Sequence, residues 1–122
     1  MKTFIPPKKA GSPFATGVWA DNALYLSGKV GIDPATGAVA ESAEDQTRFA
    51  IEGIASILKE QGLSLADIVK VTVILTNKSD MPAFNKVYTE YFPENVPART
   101  LFVASALAGS ATVELDVIAV KG

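Results

Sequence analysis

The run Ile68-Val69-Lys70-Val71-Thr72-Val73-Ile74-Leu75-Thr76 constrains this chain more than any other stretch. Side chains branched at Cβ lose rotamer freedom in a helix and fit the pleated surface of a sheet, so a run this rich in Val, Ile and Thr is expected as a central β-strand. Segments with a different period flank it. Over residues 42–61 the apolar residues Ala50, Ile54, Ile57 and Leu58 fall on one helical stripe. Ser42 can cap this helix, Glu44 and Asp45 suit its positive end, and Gly62 ends it. Arg48, four residues from both Glu44 and Glu52, reads as a solvated ion-pair residue on that helix. A second helix is expected after the strand, capped by Ser79 or Asp80 with Pro82 in its first turn. Phe84, Val87, Tyr88 and Tyr91 supply its buried stripe, Asn85 lies off that stripe, and Pro93 stops it.

The remaining strands follow from alternation and turn chemistry. Residues 1–13 carry Pro6, Pro7 and Pro13 and read as irregular, with a short strand at 3–5. Residues 16–20 and 23–30 form two β-like runs joined at Asp21-Asn22, a pair that tolerates the positive φ of a tight hairpin. Ser27-Gly28 interrupts the second run, as a bulge, an early strand end or a close backbone approach would. Asp33-Pro34-Ala35-Thr36-Gly37 is a turn. Residues 97–103 read as a buried strand that opens on Arg99, and Ala108-Gly109-Ser110 turns the chain into residues 112–120. There Val113, Leu115, Val117 and Ala119 share one face and Glu114, Asp116 and Ile118 the other. Two acids on one face call for water or a cation, and Arg99 on the preceding strand is the natural candidate, facing them across one cleft or pairing with them structurally. The order of elements suggests an α+β domain spanning residues 1–122, with both helices packed on one face of the sheet.

Composition prunes the chemistry. The chain has no Cys and no His, which removes thiolate nucleophiles, zinc-thiolate sites and imidazole bases. A net charge of −2 argues against a broad phosphate-binding surface, and Lys8-Lys9 alone is too small to supply one. No apolar run spans a bilayer and the first residues lack a signal peptide's apolar centre, so a cytoplasmic protein is expected. Catalysis must then use carboxylate, Lys, Tyr, Ser, backbone groups or water. Arg99 is the most informative candidate. Only two of the chain's 11 basic residues are arginines, and a planar guanidinium is suited to holding a carboxylate through two hydrogen bonds.

Leu26-Ser27-Gly28, Asp33-Pro34-Ala35-Thr36-Gly37, Phe84-Asn85-Lys86-Val87-Tyr88, Pro97-Ala98-Arg99-Thr100 and residues 113–120, in this order, resemble the reactive intermediate deaminase family, also called YjgF or RidA. The resemblance implies a chorismate-mutase-like α+β fold, a homotrimer with clefts between subunits, and cofactor-independent hydrolysis of enamine and imine acids such as 2-aminoacrylate. It further implies that Arg99 grips the substrate carboxylate and that the Leu101 backbone contacts the substrate nitrogen. On the same matching, Ser27, Gly28 and Asn85 line the cleft and Asp116 polarises the attacking water. Two positions depart from the archetypal deaminases: Phe14 replaces a Tyr and Asp116 a Glu, removing one hydroxyl and shortening the acid by one methylene. The Phe14 form looks more like the branch that includes 3-aminoacrylate deaminases.

Two alternatives stand beside this one. A carboxylate clamp binds a keto acid as readily as an imine, so a non-catalytic small-carboxylate-binding or protein-interaction trimer fits the same residues. An endoribonuclease, the label some members of the family carry, needs cationic stabilisation of phosphate and a near-neutral base, and the acidic balance and absent His disfavour it.

Overall fold

The computed structural model describes residues 1–122. In chain order the elements are β1 (Lys2–Ile5), β2 (Gly17–Ala20), β3 (Ala23–Leu26), β4 (Lys29–Val30), α1 (Ala43–Glu60), β5 (Ile68–Leu75), α2 (Met81–Tyr91), β6 (Ala98–Val103) and β7 (Val113–Val120). Single 3-10 turns at Leu65–Asp67 and Lys78–Asp80 lead into β5 and α2. All the strands join one sheet, ordered β1-β2-β3-β7-β5-β6, with β4 also paired to β7. Only β5 and β6 are parallel, and α2 makes the long connection a parallel pair requires. No helix is long and apolar enough to cross a membrane.

Local chemistry sets the boundaries. Asp21 turns the β2–β3 hairpin at φ 52°, a left-handed conformation that Asp tolerates. The Ser42 hydroxyl accepts the Asp45 N–H at 3.0 Å and caps α1, and Gly62 closes that helix at φ 79°. At α2, in contrast, no side chain caps the helix. The 3-10 turn before it already supplies the Lys78 carbonyl to the Met81 N–H, and Pro82 has no N–H to satisfy. Arg48 also departs from expectation: it reaches across to Glu90 on α2 at 3.1 Å. Its expected partners are engaged elsewhere, Glu44 with Lys86 and Glu52 as acceptor of the Tyr91 hydroxyl.

Both helices pack on one face of the sheet, and that face is the core. Val71, Val73 and Leu75 from β5 and alternate residues of β7 meet Ile51, Ile54 and Leu58 of α1 and Phe84 and Tyr88 of α2. Each such side chain contributes roughly 1.5–3 kcal/mol by leaving water. A buried polar tie joins helix to sheet: the Gln46 side-chain carbonyl accepts the N–H groups of Thr112 at 2.9 Å and Val113 at 3.2 Å. Gly31 lets α1 come close, because a Cβ there would lie 2.2 Å from the Gln46 carbonyl oxygen.

No helix covers the opposite face. By register it carries Phe4, Tyr25, Ile118, Ile74 and Phe102 together with Lys70, Thr72, Thr100, Glu114 and Asp116. Phe4, Tyr25 and Phe102 are 65%, 48% and 47% exposed. β6 is the edge strand and, contrary to the expectation of a buried strand, only Leu101 in it is partly covered. Its alternation is apolar, but no further strand or helix lies beyond it to bury what that alternation presents.

Candidate functional site

The structure divides the expected site residues into two groups on opposite sides of the sheet. Arg99 is paired in register with Val71, and Val71 with Val117, so its side chain shares the helix-covered face. Its guanidinium carbon lies 4.8 Å from the Tyr88 ring centroid and 5.7 Å from that of Phe84. Asp116 is paired with Thr72 and points to the other face. A single chain therefore does not bring Arg99 and Asp116 to one cleft. The reason is the two-residue period of the strand, which fixes parity by register, and neither Glu114 nor Asp116 forms an ion pair with any residue.

The first group is built around that arginine. The stacked aromatics of α2, with Phe84 and Tyr88 centroids 5.5 Å apart, give the guanidinium a flat apolar support and leave its N–H edge free. No carboxylate of the chain bridges it. Two buried polar atoms in α2, the side-chain oxygen of Asn85 and the hydroxyl of Tyr88, have no hydrogen-bond partner. Burial holds the Tyr88 phenol above its ordinary pKa, and the Arg99 charge partly offsets the rise. Leu101 lies two residues on along the edge strand, its side chain against the core and one backbone edge of β6 without a strand neighbour.

Phe14, Ser27 and Gly28 form the second group. They line a recess of about 380 Å³ that Glu114 also enters. Ser27 is fixed by donating its hydroxyl to the Ala15 carbonyl at 2.6 Å, while Phe14 stays 60% exposed. Gly28 is a glycine for a steric reason: a Cβ there would lie 2.2 Å from the Glu114 carboxylate. Burial first, and the neighbouring Asp116 charge second, raise the Glu114 pKa above its ordinary value. Asp116 follows on the same face of β7, half-buried.

Ser27, Gly28 and Phe14 thus lie together, whereas Asn85, which the resemblance sets in one cleft with Ser27 and Gly28, lies on α2 on the helix-covered side with Arg99 and Leu101. The resemblance-based site left out Glu114, the acid that reaches the recess, and Lys29. The signal for Glu114 was its place on the same β7 face as Asp116, and that for Lys29 was its adjacency to Gly28. No three carboxylates converge as metal ligands.

Comparison with known proteins agrees with this layout of elements. A RutC family protein of Pyrococcus horikoshii is 40% identical over 116 residues, covering 94% of this chain and 91% of that protein. The human 2-iminobutanoate/2-iminopropanoate deaminase is 32% identical over 111 residues, covering 90% of this chain and 81% of its own. Among solved structures, a Rid family protein of Yersinia pestis superposes with a TM-score of 0.90 at 34% identity, covering 99% of this chain and 100% of that one. TdcF of E. coli, solved with bound serine, gives 0.87 at 30% identity, with coverages of 97% and 94%. The endoribonuclease L-PSP family matches over residues 6–121, and the chain belongs to that family, whose relatives include the Rid deaminases.

Proposed function

We propose that the protein hydrolyses small imine and enamine acids to oxo acids and ammonia, in clefts formed between subunits of a homotrimer. The observation that carries this reading is Arg99: a guanidinium propped on Tyr88 and Phe84 with no acid of its own chain to neutralise it. Such a group is ready for a carboxylate, and relatives at 32–37% identity are named for deaminating 2-imino acids. The helix-free sheet face, with exposed Phe4, Tyr25 and Phe102, supports assembly, because packing subunits through it would bury a surface unusual for a monomer. Assembly can also bring Arg99, Asn85 and Leu101 of one subunit to Phe14, Ser27, Gly28 and Asp116 of its neighbour.

The chemistry asks little of the protein. An enamine first moves a proton from nitrogen to carbon and becomes an imine, whose carbon is electrophilic. Arg99 holds the carboxylate, and the carboxylate of Asp116 orients a water and takes its proton as the oxygen bonds to the imine carbon. The same acid passes that proton to nitrogen, giving a carbinolamine; it then takes the new hydroxyl's proton and delivers it to the amine as the C–N bond breaks and the C=O bond forms, so ammonia leaves an oxo acid. Positioning and one acid suffice, without imidazole, thiol or cofactor. Turnover of 2-aminoacrylate as against 3-aminoacrylate is part of the test.

Ammonia release from 2-iminopropanoate, 2-aminoacrylate and 3-aminoacrylate, each generated in situ, should be faster with the protein than without it. Arg99→Lys keeps the charge and loses the fork, and should cut kcat/KM by at least about tenfold in a folded protein. A parent that accelerates none of the three would sink the deaminase reading and leave the small-carboxylate binder, whose mark is keto-acid binding without turnover.

A further inference from the structure

We propose that Lys8, Lys9 and Lys29 form an anion subsite at the mouth of the candidate site, and that it selects imine acids carrying a second carboxylate. This rests on the deaminase reading above and names its substrate class.

The three lysines line a recess of about 240 Å³ together with Phe14, Ser27 and Gly28. Those last three residues also line the recess that Glu114 enters, so the cationic hollow and the candidate site share a wall at Phe14, Ser27 and Gly28. The cluster runs against the molecule's composition, since the chain as a whole carries −2. Lys8 touches Glu60 at 3.1 Å, but both side chains are 57% exposed, and an exposed pair of this kind contributes little and exchanges readily with water. Lys9 and Lys29 have no acidic partner in the chain. Lys29 is half-buried in β4, held in place by pairing with Leu115 of β7, a register that starts its side chain on the side of the sheet away from Glu114, from which it reaches the wall at Gly28.

Like charges gathered in a partly desolvated hollow repel one another, and an anion placed among them relieves both the repulsion and the lost hydration. Burial and the neighbouring Lys8 charge keep the Lys29 amine below its ordinary pKa, the direction this crowding demands. Arg99 already accounts for one carboxylate in the proposed reaction. An anionic group at the far end of the substrate gives the lysines their role, and a carboxylate matches the acid substrates of that reaction. Three ammonium groups without a planar fork suit an anion of loose orientation. Glu114, the acid of the adjoining recess, sits against Gly28 and disfavours the anion approaching from that side, which biases it toward the lysines.

The test compares ammonia release from iminosuccinate and 2-iminopropanoate, made in situ by enzymatic oxidation of aspartate and alanine. The parent should favour the dicarboxylate by about tenfold in kcat/KM, a difference of about 1.4 kcal/mol, carried mainly by KM. Lys29→Gln and, separately, Lys8→Gln should bring that ratio toward unity. A parent without the preference, or a preference that both variants keep, overturns the subsite while leaving deamination standing. If neither imine is hydrolysed faster than in buffer, calorimetry decides the subsite on its own. Oxaloacetate bound more tightly than pyruvate, with the difference lost in Lys29→Gln, sustains it; equal affinities, or no binding, overturn it.

Discussion

At the level of single residues, the contrast between Arg99 and Asp116 shows what a strand can hide. Both are chemically expressive, and the motifs around them point to each. Their opposite orientation depends on the pairing of Arg99 with Val71 and of Asp116 with Thr72, a register that neither strand's own sequence contains. The same pairing makes the acid testable by itself. If Asp116 orients the water, Asp116→Asn should lower kcat by about a hundredfold, the usual scale of a lost general base. Affinity for a 2-keto acid should hardly change, because the Arg99 clamp is on another surface. Asp116→Glu lengthens the acid by one methylene and should keep or raise turnover. Steady-state kinetics with keto-acid competition reads both arms. Full activity in Asp116→Asn moves the role to Glu114, the acid already lying in the recess beside Gly28.

Among the elements, those legible in the sequence are the ones whose ends are set by local chemistry. α1 begins after Ser42 and closes at Gly62, as a hydroxyl cap and a left-handed glycine dictate. β7 reads from alternation alone because one of its faces is packed under the helices and the other is not. β6 misleads for the complementary reason: its residues are those of a buried strand, and only its place at the sheet edge exposes them. Gln46 is illegible in another way, since nothing in a helical sequence marks one polar residue as the bond between two elements. At 1% exposure it holds the two N–H groups that open β7. Gln46→Leu keeps much of the volume but orphans both donors, and should destabilise the fold by about 2–4 kcal/mol. Urea unfolding at matched protein concentration measures the loss. A variant as stable as the parent would show that water replaces the glutamine and that the tie is dispensable.

For the whole molecule, the division of the site into two surfaces becomes a statement about assembly. Arg99, Asn85 and Leu101 stand on one side of the sheet and Phe14, Ser27, Gly28 and Asp116 belong to the other group, so the cleft of the proposed deaminase needs two copies of the chain. In a closed ring of three each interface is head-to-tail, and the proposed trimer sets the first surface of one subunit against the second surface of the next. Two variants that are each inactive should then complement one another. An Arg99→Ala subunit still offers Asp116, and an Asp116→Asn subunit still offers Arg99. Unfolded together and refolded as an equal mixture, they place both intact groups at one interface in about a quarter of cases for random assembly. Activity should therefore recover to about a quarter of the parent's per site, while each variant refolded alone stays inactive. Mixing folded trimers without dissociation should give no recovery until subunits exchange, which separates true complementation from contaminating parent. Sedimentation equilibrium on the same samples should report a trimer. A dilution-resistant monomer, or refolded mixtures no more active than their components, would mean that one chain carries whatever site it has, and the two groups of residues would have to be reassigned separately.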